Sequence, residues 1–420
     1  MNNNTTYKDS PLGKIPSDWE VKKLDDLGEF KNGINKDKEE FGHGYPLVGL
    51  MDVFDIPKVY NSNFSLVNTT DNERRDFDLK TGDVLFVRSS VKPVGVGLTT
   101  LVCEDIPDAT FSGFLIRFRN NTKLDFEFKA HCFLESNFRQ RLLNKSTISA
   151  NTNINQVALK SLQIILPPLP EQTRIAEVLS AWDKAICNVQ ATIDQVEQRN
   201  KWLMQELLSG KRRLKEFSGE WKEVKMKDVF DRVTRKNTEN NTNVVTISAQ
   251  RGFVRQTDFF NKNIASEITD NYFLVEKGEF CYNKSYSNGY PWGATKRLND
   301  YEKAVVTTLY ICFKIKDLKR SSGDFFEHFF ERNSLDRGLT KIAHEGGRAH
   351  GLLNVTPSDF FDLKITIPGF EEQTAIAQVL QAAASEVQVL RSKLDKLKEQ
   401  KKGLMQVLLT GKKRLNVNSI

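Results

Sequence analysis

Residues 167–214 read PPLPEQTRIAEVLSAWDKAICNVQATIDQVEQRNKWLMQELLSGKRRL, and residues 368–415 read PGFEEQTAIAQVLQAAASEVQVLRSKLDKLKEQKKGLMQVLLTGKKRL. The two segments align without a gap at a constant offset of 201 residues, and 20 of their 48 positions are identical. Similarity of this length within one chain is typical of an internal duplication. We therefore expect two copies of one unit, each made of a variable globule followed by a constant segment.

The apolar residues of each constant segment recur at intervals of four and three positions, the spacing of the a and d positions of a coiled coil. Each copy skips one apolar position, at Asn200 in the first and at Lys401 in the second. A 3.5-residue repeat held over about five heptads stays on one face only when two helices supercoil. The predicted coiled-coil core consists of Ile175, Leu179, Trp182, Ile186, Val189, Ile193, Val196, Leu203, Leu207, Ile376, Leu380, Ala383, Val387, Leu390, Leu394, Leu397, Leu404 and Leu408.

Start and stop signals limit each constant segment to one helix of about 38 residues, or ~57 Å. Pro167 and Pro368 precede the starts, while Gly210 and Gly411 occupy the C′ position. So long an apolar stripe needs a partner: the other helix, the chain's own globule, or a second copy of the chain. We favour pairing within the chain, and a pseudo-twofold axis between the two copies would make that pair antiparallel.

About 150 residues precede each constant segment, and their features keep the same order in both copies. The corresponding segments are Trp19 and Trp221, 80–86 and 276–282, 114–116 and 309–311, and 162–166 and 363–367. A shared order with divergent residues suggests related roles on different targets.

The predicted fold class is α+β: two tandem mixed α/β domains joined by two long helices that form an antiparallel intramolecular coiled coil with pseudo-twofold symmetry. The predicted boundaries are 1–14 for a flexible N-terminal tail, 15–166 and 216–367 for the variable domains, 167–215 and 368–415 for the helices, and 416–420 for a C-terminal tail.

The composition favours a soluble protein with more than one domain. The chain has 420 residues, of which 27% are charged, and no apolar run long enough to span a bilayer. Residues 1–6 lack the features of a secretory signal, so we expect a cytoplasmic protein with its five scattered cysteines reduced. The net charge of +7 is compatible with a polyanionic partner and is also ordinary for a soluble protein.

Motifs that would supply catalysis are scarce. The sequence has no phosphate-binding glycine loop, no zinc-ligand spacing and no Asn/Asp-Pro-Pro-aromatic motif of an adenine-N6 methyltransferase. Asp108 with Glu127 and Lys129 resembles the two carboxylates and lysine of a metal-dependent nuclease. The pattern is short and expected often by chance, and we favour a loop aspartate plus one face of an amphipathic helix as its explanation.

Several loops carry residue types suited to nucleic acid. Arginine, lysine, serine and asparagine can donate to phosphates or base edges, and aromatic side chains can stack on bases or wedge between them. Solvated turns often have the same composition. The candidate DNA-binding residues are Arg88, Ser89, Ser90, Lys92, Asn151 and Asn153 in the first copy, and Lys284, Tyr286, Asn288, Tyr290, Trp292, Lys296, Arg297, Arg348 and His350 in the second.

Basic residues follow each long helix, at 211–213 and at 412–414. They could touch phosphates, but residues of this kind just past a helix end usually complement its dipole and stay solvated. We favour the second interpretation.

The constant segments resemble the specificity subunit of type I restriction-modification systems. The resemblance rests on Pro-Leu-Pro-Glu-Gln at 168–172, on Ile-Ala-x-Val-Leu after it in both copies, and on the two Leu-Met-Gln-x-Leu-Leu-x-Gly-Lys tails. It covers essentially the whole chain. The second copy departs from it at 368–373, where it reads Pro-Gly-Phe-Glu-Glu-Gln in a turn that enters the helix.

This resemblance implies that each globule is a target recognition domain that reads one half of a bipartite, asymmetric sequence in double-stranded DNA, with the coiled coil setting the spacer. It also implies two methyltransferase subunits that methylate adenine with S-adenosylmethionine, and restriction subunits that translocate DNA with ATP and Mg²⁺. No cofactor, metal or catalytic residue is expected in this chain. Two alternatives stay open, a metal-dependent nuclease and a coiled-coil adaptor that binds only protein.

Overall fold

The computed structural model describes residues 6–148, 150–256, 270–345 and 353–415. The chain divides into two compact units, the first made of residues 1–190 and 392–420 and the second of residues 191–391. Both boundaries fall inside a long helix. This division differs from the boundaries expected from the sequence, because each unit combines one variable domain with half of each long helix.

The first unit is built mainly from short strands, with four short α-helices and parts of both long helices among the described residues. Its strands are β1 (Tyr7–Lys8), β2 (Ile15–Pro16), β3 (Glu20–Lys23), β4 (Gly28–Asn32), β5 (Phe41–Val48), β6 (Lys58–Val59), β7 (Ser65–Val67), β8 (Val84–Val87), β9 (Ser89–Ser90), β10 (Thr99–Val102), β11 (Thr110–Phe111), β12 (Leu115–Asn120), β13 (Thr147–Ile148), β14 (Thr152–Asn153) and β15 (Gln163–Leu166). Its α-helices are α1 (Asp71–Asp76), α2 (Lys129–Cys132), α3 (Ser136–Asn144), α4 (Gln156–Lys160), the first part of α5 (Leu169–Leu207) and the end of α10 (Phe370–Leu408).

The second unit has the same kinds of elements. Its strands are β16 (Lys222–Lys225), β17 (Phe230–Val233), β18 (Val245–Ser248), β19 (Gly252–Arg255), β20 (Phe273–Glu276), β21 (Phe280–Asn283), β22 (Ala294–Arg297), β23 (Lys303–Val306), β24 (Ile311–Ile315), β25 (His344–Glu345), β26 (Leu353–Asn354) and β27 (Lys364–Ile367). Its helices are α6 (Met226–Val229), α7 (Gly323–Glu331), α8 (Asp336–Ile342), α9 (Pro357–Phe361), the end of α5, and the first part of α10 (Phe370–Leu408).

The central sheets of the two units share one strand order. The first runs β4-β12-β8-β10-β6 and the second β17-β24-β21-β22, so four consecutive positions correspond. Smaller sheets correspond as well, because β3 pairs with β15 as β16 pairs with β27, and β13 with β14 as β25 with β26. The duplication predicted from the constant segments therefore extends through both variable domains.

Buried apolar strands form the centre of each sheet. Strand β8 is buried at all four positions, and β21 is buried at Phe280, Cys281 and Tyr282. A glycine with positive φ, Gly82 or Gly278, forms the turn before each of these strands. Helix α7 then covers the second sheet with four buried phenylalanines.

Halves of the two long helices pack together within each unit. In the first unit Ile175 and Leu179 of α5 share a buried core with Leu408 of α10 and with Trp19 of the globule. In the second unit Leu207 of α5 shares a core with Ile376, Ala377 and Leu380 of α10. Paired residues move in opposite directions along the two helices, so the pairing is antiparallel.

Every residue of the predicted coiled-coil core is buried or half-buried in these helices. Ten of its members are buried, namely Ile175, Leu179, Ile193, Val196, Leu207, Ile376, Leu380, Ala383, Leu394 and Leu408. The other eight, Trp182, Ile186, Val189, Leu203, Val387, Leu390, Leu397 and Leu404, are half-buried. The α+β class and the antiparallel helix pairing within one chain are confirmed.

The described part of the N-terminal segment contains a short strand pair. Strand β1 pairs with β2, and the Tyr7 hydroxyl donates to the carbonyl oxygen of Gly411 at 3.1 Å. Tyr7 therefore links the described start of the chain to the segment that follows α10 in the same unit, while the flexible tail over 1–14 stays a prediction.

Candidate nucleic-acid interface

In the first unit, two polar segments about 60 residues apart in sequence are brought together by strand pairing. Asn153 pairs with Ser89 and Thr152 with Ser90, which joins β14 to β9. The amide of Ile154 also donates to the carbonyl oxygen of Arg88 at 2.9 Å. The candidate residues of this copy therefore lie on one small sheet and the loops beside it.

The side chains on this surface differ in exposure. Lys92 and Asn151 are exposed, Arg88, Ser89 and Asn153 are half-buried, and Ser90 is buried. Arg88 Nη1 donates to the carbonyl oxygen of Gly113 at 3.2 Å, so its guanidinium lies against the loop before β12. Lys92 and Asn151 are the members of this set most accessible to a phosphate.

The corresponding surface of the second unit is built from three loops. Leu353 donates its amide to the carbonyl oxygen of Lys284 at 3.0 Å, which ties β26 to the end of β21. Gln250 Nε2 donates to the carbonyl oxygen of Asn288 at 3.0 Å. Tyr286 is 65% exposed, and Asn288 is also exposed. Arg348 and His350 lie outside the described residues.

Three candidates of the second copy, Lys296, Tyr290 and Arg297, have side chains with internal partners. Lys296 is only 7% exposed, pairs with Glu331 and donates to the Tyr290 hydroxyl at 3.2 Å. Tyr290 in turn donates to Glu331 at 2.7 Å, and burial together with that carboxylate raises the pKa of Tyr290. Trp292 is half-buried, and its carbonyl oxygen accepts from Tyr282.

Arg297 completes this internal group, since its Nη1 lies 2.5 Å from Asp324 and 3.4 Å from Glu327. A buried and paired ammonium at Lys296 reaches DNA only by breaking its ion pair, and its assignment as a DNA-binding residue stays a prediction. Tyr290 and Arg297 are likewise held by carboxylates of α7.

The nuclease-like residues do not form a metal site. Glu127 is paired with Lys58 at 2.7 Å and accepts from Ser180 at 3.0 Å; burial opposes the charge of Glu127, but these partners lower its pKa. Lys129 is buried and donates to the carbonyl oxygen of Gly82 at 2.6 Å. Asp108 lies instead near Arg74. Among the residues that the structure describes, no group of three or more metal-binding side chains is present.

The basic tails after the long helices are anchored by ion pairs that the sequence analysis did not predict. Arg414 pairs with Asp18 at 2.8 Å and with Glu171 at 2.6 Å, and Glu171 is only 1% exposed. Trp19 Nε1 donates to the same carboxylate at 2.9 Å. Hydrogen bonding to Glu171 is the main cause of the raised pKa of Arg414.

We call this anchor the tail lock: an arginine that follows one long helix pairs with the glutamate at the start of the other long helix. The second unit repeats it. Arg213 pairs with Glu372 at 2.5 Å, and its guanidinium faces the ring of Trp221. Gly210 and Gly411 have φ of +70° and +73°, and a Cβ on Gly411 would approach Pro16 to 2.4 Å. The interpretation of these arginines as solvated dipole partners is therefore wrong. The sequence contained a signal for this anchor, because its glutamate, arginine and glycine are identical in the two constant segments.

A glutamine at each helix start adds a second repeated contact. Gln172 Nε2 donates to the carbonyl oxygen of Pro167 at 2.8 Å, and its Oε1 accepts from the amide of Asp125 at 3.0 Å. Gln373 makes the matching bonds with Pro368 and Ser322, both at 2.9 Å. The Glu-Gln motif thus fixes each long helix to its own globule.

The two polar skips in the helix seam have different partners. Asn200 Nδ2 donates to the carbonyl oxygen of Ala383 at 2.7 Å in the second unit. Lys401 pairs with Asp183 in the first, beside the buried ring of His131. Burial, and then the charge of Lys401, lowers the pKa of His131 to about 4, so the ring is neutral at pH 7. Polar seam positions with specific partners fix helix register.

The chain matches the model of a known protein family. The model of the type I restriction modification DNA specificity domain matches the chain twice, over residues 16–198 and 218–399. The chain belongs to this specificity family. The double match confirms the duplication and the resemblance inferred from the constant segments.

Two curated relatives match over nearly the whole chain. It is 26% identical to the putative type I restriction enzyme MjaX specificity subunit of Methanocaldococcus jannaschii, over 97% of both chains. It is 19% identical to the MjaVIII specificity subunit of the same organism, over 96% of this chain and 95% of that one.

Two solved structures of type I restriction-modification proteins share the fold. The HsdS subunit from Thermoanaerobacter tengcongensis has a TM-score of 0.52 at 16% identity, covering 94% of this chain and 98% of that one. A chain from a structure on complex assembly of the type I R-M system has a TM-score of 0.60 at 15% identity, covering 94% and 99%. None of the helices in the described part of this specificity-family chain could cross a membrane.

Proposed function

We propose that this chain is the DNA-reading subunit of a type I restriction-modification complex, and that each variable domain reads one half of a bipartite, asymmetric target. The observation that carries the proposal is the pair of globules with one strand order but different surface loops. Equivalent scaffolds place the loops alike, while different loop residues present different donors and acceptors to base edges. The two half-sites are therefore expected to differ in sequence.

The paired helices are proposed to set the spacer between the half-sites and to dock the methyltransferase subunits. Their support is the internal fixing of each helix start by a buried glutamine and of each helix end by a tail lock. A helix held at both ends transmits a fixed length, ~1.5 Å per residue. A length that is fixed in the protein becomes a fixed number of base pairs in the target.

We propose that partner subunits carry out the catalytic steps. Two adenine methyltransferase subunits would bind S-adenosylmethionine, and restriction subunits would use ATP with Mg²⁺. The chain itself takes a recognition role without catalysis, as a member of the specificity family. Its place is the cytoplasm, where the DNA substrate lies.

Sequencing of methylated adenines tests this function. DNA from cells that express the chain with its methyltransferase should carry methylated adenines in one asymmetric motif made of two short half-sites and an unspecified spacer. A single continuous motif, or methylation without any sequence preference, would contradict the proposal. Loss of the motif when this chain is omitted is the control.

We expect DNA binding by the complex to weaken steeply with salt. Contacts by residues such as Lys92 and Arg88 neutralise phosphates and release counterions, with a slope of about −0.9 in log K against log salt for each phosphate. Fluorescence anisotropy between about 50 and 200 mM salt should show a loss on the order of a thousandfold or more for at least six phosphate contacts. Replacing the exposed Lys92 by alanine should reduce the slope by about one.

Salt-insensitive binding would contradict a phosphate-contacting surface. Lys412→Ala serves as a matched control within the same unit, because Lys412 is an exposed lysine remote in sequence from the candidate loops. It should leave the slope unchanged.

A further inference from the structure

An exposed apolar side chain occupies the same place in both units, just before the second strand of the central sheet. Phe114 precedes β12 and is 54% exposed, and Leu309 precedes β24 and is 55% exposed. Neither contributes to a buried core, since the buried residues of these segments begin with Leu115 and Ile311. Folding therefore does not account for a large apolar residue at either place.

The backbone around each residue is held in the same way. The Phe114 amide donates to Ser112 Oγ at 3.3 Å, and the Leu309 amide donates to Thr307 Oγ1 at 3.4 Å. Further bonds fix the loops, from Gly113 to the carbonyl oxygen of Ile34 and from Tyr310 to that of Thr307. An apolar side chain on a fixed backbone loses little entropy when it binds.

A basic residue lies across the sheet from each of them. The Arg88 amide donates to the carbonyl oxygen of Phe114 at 2.8 Å, in the register that pairs Val87 with Leu115. The pairing of Tyr282 with Ile311, continued by two residues, brings Lys284 level with Leu309. Two globules with different loops thus keep one combination, an exposed apolar residue opposite a cation.

This combination fits duplex DNA better than a protein surface. The cation suits a phosphate, and an apolar side chain beside it can contact a thymine methyl group or wedge between base pairs. In the first unit the exposed Lys92 follows Arg88 closely in sequence, which adds positive charge. An apolar protein partner would gain nothing from these charges.

We propose that Phe114 and Leu309 are base-contacting residues that determine specificity, one in each half-site. The proposal rests on the proposed function, because it assumes that the two variable domains read the half-sites. Arg88 and Lys284 hold the backbone phosphates and thereby position the apolar side chain at the bases. Sequence reasoning did not select either residue, since an isolated Phe or Leu at a strand end looks like core.

The test measures discrimination by the reconstituted complex with its methyltransferase. Binding to the methylated target is compared with binding to oligonucleotides that carry one changed base pair in either half-site. Phe114→Ala should lower discrimination about tenfold in one half-site and leave the other unchanged, because one base contact supplies roughly that ratio. Leu309→Ala should do the same for the opposite half-site. Phe114→Leu, which keeps an apolar side chain, should retain most of the discrimination.

Matched controls exist in both units. Phe41 is 44% exposed in the first and Leu318 is 70% exposed in the second, so Phe41→Ala and Leu318→Ala remove the same groups elsewhere. They should leave discrimination unchanged. Thermal unfolding of all variants should match that of the natural chain, since exposed side chains are replaced.

Several outcomes would overturn the inference. Wild-type discrimination in both alanine variants, or equal loss at both half-sites, would show that these residues do not read bases. Failure of the variants to assemble with the methyltransferase, seen by native mass spectrometry, would make the apolar residues a protein contact. If the natural complex itself shows no sequence discrimination, the proposed function fails and not only this inference.

Discussion

A chain lengthened by four residues between Val189 and Gln190 should direct methylation to a target with a longer spacer and unchanged half-sites. Four residues add about 6 Å to a helix, which corresponds to roughly two base pairs of B-DNA. An insertion of four is a stutter, which a coiled coil absorbs by local unwinding. Sequencing of methylated adenines reads the spacer directly.

A matched insertion checks that length along the helix is responsible. Four residues placed after Lys319, in the exposed segment between β24 and α7, leave both long helices intact. This variant should keep the original spacer. A lengthened helix that still directs methylation at the original spacing would refute the role of the helices in setting it.

Removing the tail lock should have the largest effect on stability. Arg414→Ala leaves Glu171 buried without its cation, and breaking a pair of this kind costs about 3 kcal/mol. For a unit of this size, that cost should lower the midpoint of thermal unfolding by about 6 to 12 °C. Circular dichroism or scanning calorimetry of the purified chain measures the shift.

Lys412→Ala is the control for this variant, because it removes an exposed charge two residues away in the same tail. Its expected effect is within about 0.5 kcal/mol. Equal stability of the two variants would show that the ion pair with Glu171 and Asp18 does not hold the tail.

The long helices and the duplication were predictable because the apolar residues recur periodically and the same pattern occurs in both constant segments. Every predicted seam residue is buried or half-buried, and the helices begin and end where proline and glycine place them. The division of each helix between two units was not predictable in this way. It arises from contacts distant in sequence, such as that of Arg414 with Asp18, which no local pattern encodes.

The candidate interface was predictable only in part. Composition selects lysines and tyrosines without regard to burial, and so it selected Lys296, whose ion pair with Glu331 forms across 35 residues of sequence. It could not show that Asn153 lies beside Ser89, since strand pairing decides that. It also passed over Phe114, because exposure depends on where a strand ends in the folded sheet.

We propose that each variable domain reads its half-site independently of the other, and exchanging one variable domain tests this most directly. The segment from Trp221 to Ile367 is replaced by the matching segment of another specificity-family chain, with both long helices kept. The methylated adenines of cells that express this chimera with the methyltransferase are then sequenced. The account predicts that one half-site changes while the other half-site and the spacer persist. A change in both half-sites would contradict it.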